Sequence, residues 1–171
     1  VTSYGDVNEL LGDKDVELIV VNTPNNTHFE FAKQALLAGK HVLIEKPAAT
    51  SVKEAQQLFE LGNRQNKKVL IYHNRRWSSD FISAKQIIEE GRLGEIIEAH
   101  FRFDRYRHAI GPKTFKETPI PGSGILYDLG SHLIDQVISI FGKPASCHKI
   151  TGKYRHGSLV DDYATLHLQY P

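Results

Sequence analysis

The chain has 171 residues, of which 40% are hydrophobic and 24% are charged, and its formal net charge is +1. This balance is typical of a globular protein and excludes a disordered tail, a collagen-like fibre and a disulfide scaffold. A charge so near zero gives no electrostatic reason to expect binding to nucleic acid or to a membrane surface. The single cysteine, Cys147, cannot form an internal disulfide, which favours a reducing, cytoplasmic setting.

The amino-terminal end indicates a piece of a longer protein. The chain begins at Val1, contains no methionine and has no basic-then-apolar leader. An intact gene product usually begins with methionine, so we expect an internal fragment without a signal peptide. The apolar run Leu18 to Val21 is far shorter than the roughly 20 residues that cross a bilayer.

Strand and helix signals alternate through the first 72 residues. Three apolar runs predict buried strands. They lie at Val16–Val21, His41–Glu45 and Val69–Tyr72. Capping-box patterns predict helices that begin at Thr27 and Ser51, and the end of another strand is predicted over residues 1–4. This alternation with short connections requires parallel strands, so the predicted fold class is α/β, with part of a doubly wound Rossmann-type sheet.

The pattern changes after Tyr72, and we place a domain boundary near residues 73–79. Strand signals separated by long connections predict a second, α+β domain with a mostly antiparallel open sheet. The predicted elements are a helix over 80–90, a strand over 96–103, a loop over 104–123, a helix over 124–141 and strands over 145–154 and 161–170. A loop of that length is typical of a functional segment.

Open parallel sheets bind ligands at the carboxyl ends of their strands, and three segments follow predicted strands here. They are Asn22-Thr23-Pro24-Asn25, Glu45-Lys46-Pro47 and His73 to Trp77. Lys46 is the most informative residue, because an ammonium group at the tip of a buried strand can stabilise negative charge on a substrate oxygen. On position alone, a solvated surface lysine remains the alternative.

Asp128 and His132 are four residues apart on a predicted helix and therefore share one face. Apolar neighbours such as Leu129 and Leu133 surround them, so the two polar groups need to bond each other or a ligand. An aspartate that orients a histidine suits a general base near neutral pH. A helix pair that only stabilises is the alternative. We predict no metal site, because no third ligand has convincing spacing.

Three weaker features lie near these candidates. Gly122-Ser123-Gly124 lets the backbone approach a ligand closely, although a turn that leads into the helix is an equal alternative. His28 lies in the first turn of a predicted helix, where it either contacts an anionic ligand or is a surface residue. The run Arg75 to Trp77 has no wider basic patch around it, so we expect no nucleic-acid partner.

Taken together, these segments resemble the Gfo/Idh/MocA oxidoreductases, which bind NAD or NADP and act on sugars and polyols. The segments that carry the resemblance are Thr23-Pro24-x-x-x-His28, Gly39-Lys40-His41-Val42-Leu43-Ile44-Glu45-Lys46-Pro47 and Gly122-x-Gly-x-Leu126-x-Asp128-x-Gly130-x-His132-x-x-Asp135. Within the family, Tyr72 to Trp77 and Leu126 to His132 are similar to the branch that contains NADP-dependent scyllo-inositol dehydrogenase.

The resemblance implies the carboxy-terminal part of a dinucleotide-binding domain over residues 1–76 and the start of a substrate and oligomerisation domain over residues 77–171. Lys46, Asp128 and His132 match the catalytic set of the family's inositol dehydrogenases. Lys46 would stabilise the forming alkoxide, His132 would accept the hydroxyl proton, and Asp128 would orient the histidine. The residues implied at the cofactor are Thr23, Pro24, His28, Glu45, Lys46, Asn74, Arg76 and Trp77.

We therefore expect an NAD(P)-dependent dehydrogenase that transfers a hydride between a secondary alcohol of a polyol or sugar and the cofactor, with NADP favoured by the branch. The family's glycine-rich turn is not in this chain, which has no G-x-G-x-x-G. Members often assemble through the open sheet, so a homo-oligomer is expected, and no membrane partner. Two alternatives stay open: a nucleotide-binding regulator without turnover, and a hydrolase or dehydratase that recycles the cofactor.

Overall fold

The computed structural model describes residues 2–171 and contains two compact units. Unit 1 comprises the residues up to Tyr72 together with Ile120–Gly122, and unit 2 comprises His73–Pro119 and Ser123–Pro171. Val1 lies outside the described residues, so the strand end predicted over residues 1–4 is testable only at residues 2–4, which form no strand. Across residues 2–171, no helix combines the length and the hydropathy that crossing a bilayer requires.

Unit 1 is built on a parallel sheet. Its helices are α1 (Val7–Gly12), α2 (His28–Leu37) and α3 (Val52–Arg64), and its strands are β1 (Leu18–Val21), β2 (His41–Glu45) and β3 (Val69–Tyr72). The strands pair in parallel in the order β1–β2–β3, with Val20 opposite Leu43 and Leu43 opposite Leu70. This topology confirms the predicted Rossmann-like α/β fold.

The hydrophobic core of unit 1 lies on one face of this sheet. The buried residues are Ile19 and Val21 of β1, Ala32, Ala35 and Leu36 of α2, Val42 and Ile44 of β2, and Leu58 and Leu61 of α3. Leu10 and Leu11 of α1 pack against the same cluster. On the opposite face, Leu18, Val20 and Leu70 are 45–59% exposed. The strands are therefore buried on one face only, which corrects the prediction of buried strands, because the residues of α1, α2 and α3 that pack on the sheet all join the same core.

The two predicted capping boxes differ in outcome. At α3 the Ser51 hydroxyl accepts from the Glu54 N–H at 3.2 Å and the Glu54 carboxylate accepts from the Ser51 N–H, so this box is confirmed. Thr27 makes no such cap. A 3₁₀ turn over Asn25–Thr27 precedes α2, and within it the Thr27 hydroxyl donates to the Pro24 carbonyl at 2.7 Å. The hydroxyl is thereby diverted from the helix donors that it was expected to satisfy.

Unit 2 combines short helical segments with one antiparallel strand pair. Its elements are a 3₁₀ turn (Asn74–Trp77), α4 (Ser79–Glu89), α5 (Thr114–Glu117), a π-helical turn (Leu126–Gly130), α6 (Ser131–Phe141), β4 (Ser146–Gly152) and β5 (Tyr163–Gln169). Strands β4 and β5 are antiparallel, with Cys147 opposite Leu168. The predicted α+β organisation and the last two strands are confirmed.

The strand predicted over residues 96–103 is wrong. Its alternating hydropathy is real, but among residues 2–171 no strand pairs with it, and Ile97 is 86% exposed. The aromatic residues of this segment make other contacts instead. Phe101 packs edge-on against Phe141, with ring centroids 6.4 Å apart, and the guanidinium of Arg75 lies 5.8 Å from the ring centroid of Phe103. Alternation predicts a half-buried surface, but a strand also needs a hydrogen-bonding neighbour.

The first residues of unit 2 are held by α6. Arg76 donates two hydrogen bonds to the Asp135 carboxylate, at 2.8 and 2.6 Å, and Gln136 Nε2 donates to the Arg75 carbonyl at 3.3 Å. These bonds explain why His73 onward groups with unit 2, whereas the sequence analysis ends the first domain at residue 76.

Candidate functional site

The carboxyl ends of β1 and β2 bring together four of the predicted cofactor residues. Thr23 and Pro24 follow β1, Glu45 is the last residue of β2, and Lys46 comes directly after it. Because the two strands pair in parallel, the segments that follow them leave the same edge of the sheet side by side. All four side chains are half-buried, so they are held by the protein and still accessible from solvent.

His28 joins these two strand ends. Its residue is 1% exposed, with Nδ1 2.7 Å from the Pro47 carbonyl oxygen and Nε2 2.9 Å from the Thr23 carbonyl oxygen. Buried carbonyl groups need hydrogen-bond donors, and the imidazole can donate a ring N–H to one or the other of these two, depending on its tautomer. The surface-residue alternative for His28 is therefore wrong. Its contact with a dinucleotide stays a prediction, and the geometry gives the ring the role of holding the turn after Lys46.

The segment Ile120–Gly122 lies beside the same strand ends. Asn25 Nδ2 donates to the Gly122 carbonyl at 2.7 Å. Gly122 has φ +83°, and a Cβ there would lie 2.9 Å from both Asn25 Cβ and Thr50 Cγ2. Only glycine accommodates that conformation and that approach. The close approach expected at Gly122 is thus to protein atoms.

Gly124 leaves space for an aspartate that accepts hydrogen bonds from the first N–H groups of the helical segment that follows. Its φ is +86°, and a Cβ there would overlap the Asp161 carboxylate. Asp161 accepts from the Leu126 N–H through Oδ2 and from the Ile125 N–H through its backbone carbonyl, both at 2.9 Å. These bonds satisfy two of the donors that a helix start leaves unpaired. Of the two interpretations of the glycine pair, the turn into the helix is the one seen at Gly124.

Asp128 lies in a widened turn, whereas the sequence predicts one regular helix over 124–141. Leu126–Gly130 is π-helical, and regular α-helix begins only at Ser131. Such π turns recur at functional sites. The Asp128 side chain is 31% exposed and its Oδ1 accepts from Lys116 Nζ at 2.6 Å, while His132, in the first turn of α6, is 8% exposed. Orientation of the histidine by the aspartate stays a prediction.

The other predicted cofactor residues of unit 2 lie in and next to the 3₁₀ turn. The Asp135 side chain is 9% exposed, and its hydrogen bond to Arg76 raises the pKa of that guanidinium above its usual range. His73 Nδ1 lies 3.8 Å from the same carboxylate. Asn74 is exposed, and Trp77 is 77% exposed beside an open groove of about 440 Å³. Contact of these residues with a nicotinamide stays a prediction.

A second charged cluster fixes the end of the long loop in unit 2. Arg155 donates to both Glu117 oxygens, at 3.2 and 2.7 Å, and to Asp162 at 3.2 Å. The hydrogen bond from Arg155 lowers the pKa of Glu117 below its usual range. At Asp162, burial alone would raise the pKa, but the N–H groups of Tyr154 and Arg155 and the guanidinium outweigh it and lower the pKa. The three side chains are at most 17% exposed, so the cluster is well shielded.

The structure thus gathers the predicted site residues into two sets. Unit 1 holds Thr23, Pro24, His28, Glu45 and Lys46, and unit 2 holds Asn74, Arg76, Trp77, Asp128 and His132. Sequence reasoning missed Lys116 and Asp161. Lys116 lies in a stretch that the sequence predicts as loop and that carries no motif. The sequence pointed to it only indirectly, through the expectation that Asp128 needs a bonding partner. Asp161 could be recognised only from the structure, where its carboxylate occupies the space that a Cβ at Gly124 would fill.

The comparison with known proteins identifies the family. Residues 1–73 match the model of the oxidoreductase family with an NAD-binding Rossmann fold, and residues 81–171 match the GFO/IDH/MocA C-terminal domain. Fold and matches define an oxidoreductase class with a nucleotide-binding first domain. The chain belongs to the GFO/IDH/MocA oxidoreductase family, as the sequence resemblance predicts.

Individual relatives agree with this family assignment. An uncharacterized oxidoreductase of Schizosaccharomyces pombe is 46% identical over 98% of this chain and 46% of its own length. The scyllo-inositol 2-dehydrogenase (NADP(+)) IolW of Bacillus subtilis is 34% identical over 96% of this chain and 46% of its own length. The solved structure of yvaA of Bacillus subtilis has a TM-score of 0.92, at 34% identity over 97% of this chain and 47% of that one. The chain spans about half the length of the curated relatives it matches.

Proposed function

We propose that the protein carrying this chain is an NAD(P)-dependent dehydrogenase that oxidises a secondary alcohol of a polyol or sugar. The observation that carries the proposal is Lys46, half-buried directly after β2 at the carboxyl edge of a parallel sheet, in a chain that matches both domains of the family. Ligands of open parallel sheets bind at that edge. IolW supports a cyclic polyol such as scyllo-inositol as the substrate and NADP as the cofactor.

The donor set at the sheet edge fits a dinucleotide. Glu45 offers a carboxylate for ribose hydroxyls, Lys46 an ammonium, and Thr23 with Pro24 a backbone segment next to His28. From unit 2, Asn74, Arg76 and Trp77 would border the nicotinamide ring. A bound nicotinamide would supply the acceptor for the hydride that leaves the substrate carbon. The amino-acid side chains would supply binding and proton transfer.

Each catalytic residue has one proposed role. The Lys46 ammonium would hydrogen-bond the reacting hydroxyl and stabilise its oxygen as negative charge develops there. His132 would take the hydroxyl proton, a task suited to an imidazole near neutral pH. Asp128 would hold the histidine and a neighbouring substrate hydroxyl. His28 would act indirectly, since its bond to the Pro47 carbonyl fixes the residue next to Lys46. We also propose a homo-oligomer formed through the sheet that begins with β4 and β5.

Turnover of the full-length gene product tests the proposal. Lys46→Ala and His132→Ala should each lower kcat about 100-fold or more, with little change in the unfolding midpoint. Lys53→Ala and His156→Ala are matched controls, because both residues are exposed and lie outside the proposed site and outside β4 and β5. Near-normal rates for both site variants would reject the catalytic assignment.

A polyol screen with NAD and NADP separates this proposal from the two alternatives. Net formation of reduced cofactor during turnover supports the dehydrogenase. Tight nucleotide binding without turnover of any polyol would favour a regulator. Product formation with no net change in the cofactor would favour a hydrolase or dehydratase that recycles it.

A further inference from the structure

We infer that Lys116 is a specificity-determining residue that binds the substrate hydroxyl next to the reacting carbinol. This inference rests on the proposed function and extends it to the long loop of unit 2. The observation behind this inference does not involve Lys46. The Lys116 ammonium lies 2.6 Å from the carboxylate of Asp128, in the π turn that precedes His132.

Two bonds tie Lys116 to the helical segment that carries the candidate catalytic pair. Its side chain donates to Asp128 Oδ1, and its backbone carbonyl accepts from the Gly124 N–H at 3.2 Å. Both ends of the residue are therefore fixed relative to the π turn. A lysine held in this way has already lost much of the side-chain freedom that binding a ligand would otherwise cost.

The next residue anchors α5 from the other side. The Glu117 carboxylate is 14% exposed, receives both arms of Arg155, and also accepts from the Gly111 N–H at 3.1 Å. Arg155 is fixed in turn by Asp162. The loop end is thus held without help from the Lys116 side chain, and a half-exposed ion pair adds little to stability. Stabilisation of the loop therefore does not explain why position 116 carries an ammonium group.

The chemistry of the Lys116–Asp128 pair suits a polyol. An ammonium has three N–H donors, and Asp128 receives one of them. The Lys116 side chain is 33% exposed, so the group is accessible to a ligand. A donor group and an acceptor group in contact match neighbouring hydroxyls, each of which both donates and accepts. A substrate without the neighbouring hydroxyl would leave a Lys116 donor unmatched, and unmatched polar groups are a strong source of discrimination.

A cycle of two substrates and two enzymes tests this inference in the full-length gene product. The substrates are scyllo-inositol, whose six carbinols are equivalent, and its monodeoxy analogue. For the analogue, the ketone products are resolved, and kcat/KM is taken for the slower of the two carbons next to the missing hydroxyl. For the wild type we expect deoxygenation to lower kcat/KM about 10- to 100-fold. For Lys116→Gln the same deoxygenation should lower it less than about threefold, because the interacting ammonium is already gone.

Three further variants keep the result interpretable if Lys116→Gln is poorly folded. Lys116→Arg retains a cation and should recover part of the discrimination. Lys113→Gln removes an exposed lysine three residues earlier and should behave as the wild type. Glu117→Gln loosens the Arg155 anchor but keeps the ammonium, so it should slow both substrates by similar factors.

Equal losses on deoxygenation in the wild type, Lys116→Gln and Lys116→Arg would overturn the inference while leaving the dehydrogenase proposal intact. A wild type that turns over no polyol with either cofactor would reject the proposed function and this inference together. Activity of the wild type alone therefore distinguishes the two failures.

Discussion

The two units are stabilised in different ways. In unit 1 nine apolar side chains from β1, β2, α2 and α3 form one buried cluster. In unit 2 only Phe81 and Val160 are buried hydrophobic residues among those described, and the polar residues His132 and Gln136 are buried as well. Charged contacts hold its loops and helices: Arg76 with Asp135, Lys116 with Asp128, and Arg155 with Glu117 and Asp162.

This difference assigns different sensitivities to the two units. Burial of apolar surface is non-directional and hardly depends on pH, so unit 1 provides a stable platform for the residues after β1 and β2. Charge-assisted hydrogen bonds are directional and depend on ionisation, so unit 2 places its side chains accurately but only within a range of pH. The comparison predicts which substitutions and conditions affect each unit.

The largest effect is expected in the core of unit 1. Leu36→Ala removes a side chain that is fully buried against the sheet and should lower the free energy of unfolding by about 2–5 kcal/mol. Urea unfolding of the full-length protein measures the loss. Leu37→Ala, one residue later and 59% exposed, is the control and should cost less than about 0.5 kcal/mol. Similar losses for the two variants would contradict a single-faced core.

The next effect is expected at the charged cluster of unit 2. Arg155→Met leaves the shielded carboxylates of Glu117 and Asp162 without their cation and should cost about 1–3 kcal/mol. Trypsin cleavage at the arginines of the 104–119 loop should accelerate. Arg102→Met, whose partner Asp104 is 74% exposed, is the control and should change neither measurement. An unchanged cleavage rate in Arg155→Met would mean that the loop is held otherwise.

Acid should loosen unit 2 before unit 1. Glu117 and Asp162 have lowered pKa values in the folded protein, so they contribute stability above their unfolded values of about 4. That stability is lost as the pH falls from about 4.5 through the folded values. Pulsed hydrogen exchange after incubation at each pH should show residues 109–117 losing protection while α2 stays protected. Simultaneous loss in both segments would break the comparison.

The smallest effect is expected at the amino-terminal end of α3. Ser51→Ala removes half of the capping box and should cost about 1 kcal/mol, confined to the first turn of α3. Lys53→Ala, in the same turn and exposed, is the control. Hydrogen exchange at the Glu54 amide, which donates to the Ser51 hydroxyl, provides the local measurement.

Local sequence patterns predicted the elements of unit 1 well because each of its strands and helices has its own hydrophobic period. The bounds of β2 and β3 are those predicted, and β1 begins two residues later than expected. Exposure of the second sheet face could not be read from apolar runs, since a run of apolar residues does not show which face a helix covers. The capping box predicted at Thr27 is wrong because the 3₁₀ turn over Asn25–Thr27 engages the Thr27 hydroxyl before α2 begins.

The site was predictable where one residue type at one position carries the chemistry. Lys46 and His132 were selected in this way, and both their catalytic roles and their convergence on one substrate stay predictions. Lys116, Asp161 and the π turn were missed, because each depends on contacts between residues 12 to 35 positions apart or on the shape of a single helical turn. His28 was recognised as notable, but its burial between two carbonyls needs the tertiary structure.

The open face of the unit 1 sheet has a practical consequence for anyone producing residues 1–171 alone. Leu18, Val20, Leu70 and Tyr72 present a hydrocarbon surface to water there, each 44–59% exposed. Contiguous apolar patches of this kind promote association. A preparation of this stretch should therefore self-associate through the exposed faces of β1 and β3, and a dimer seen in gel filtration would report this apolar contact. Mutating Val20 and Leu70 to threonine should convert such a dimer into monomers and leave the buried side of the sheet unchanged.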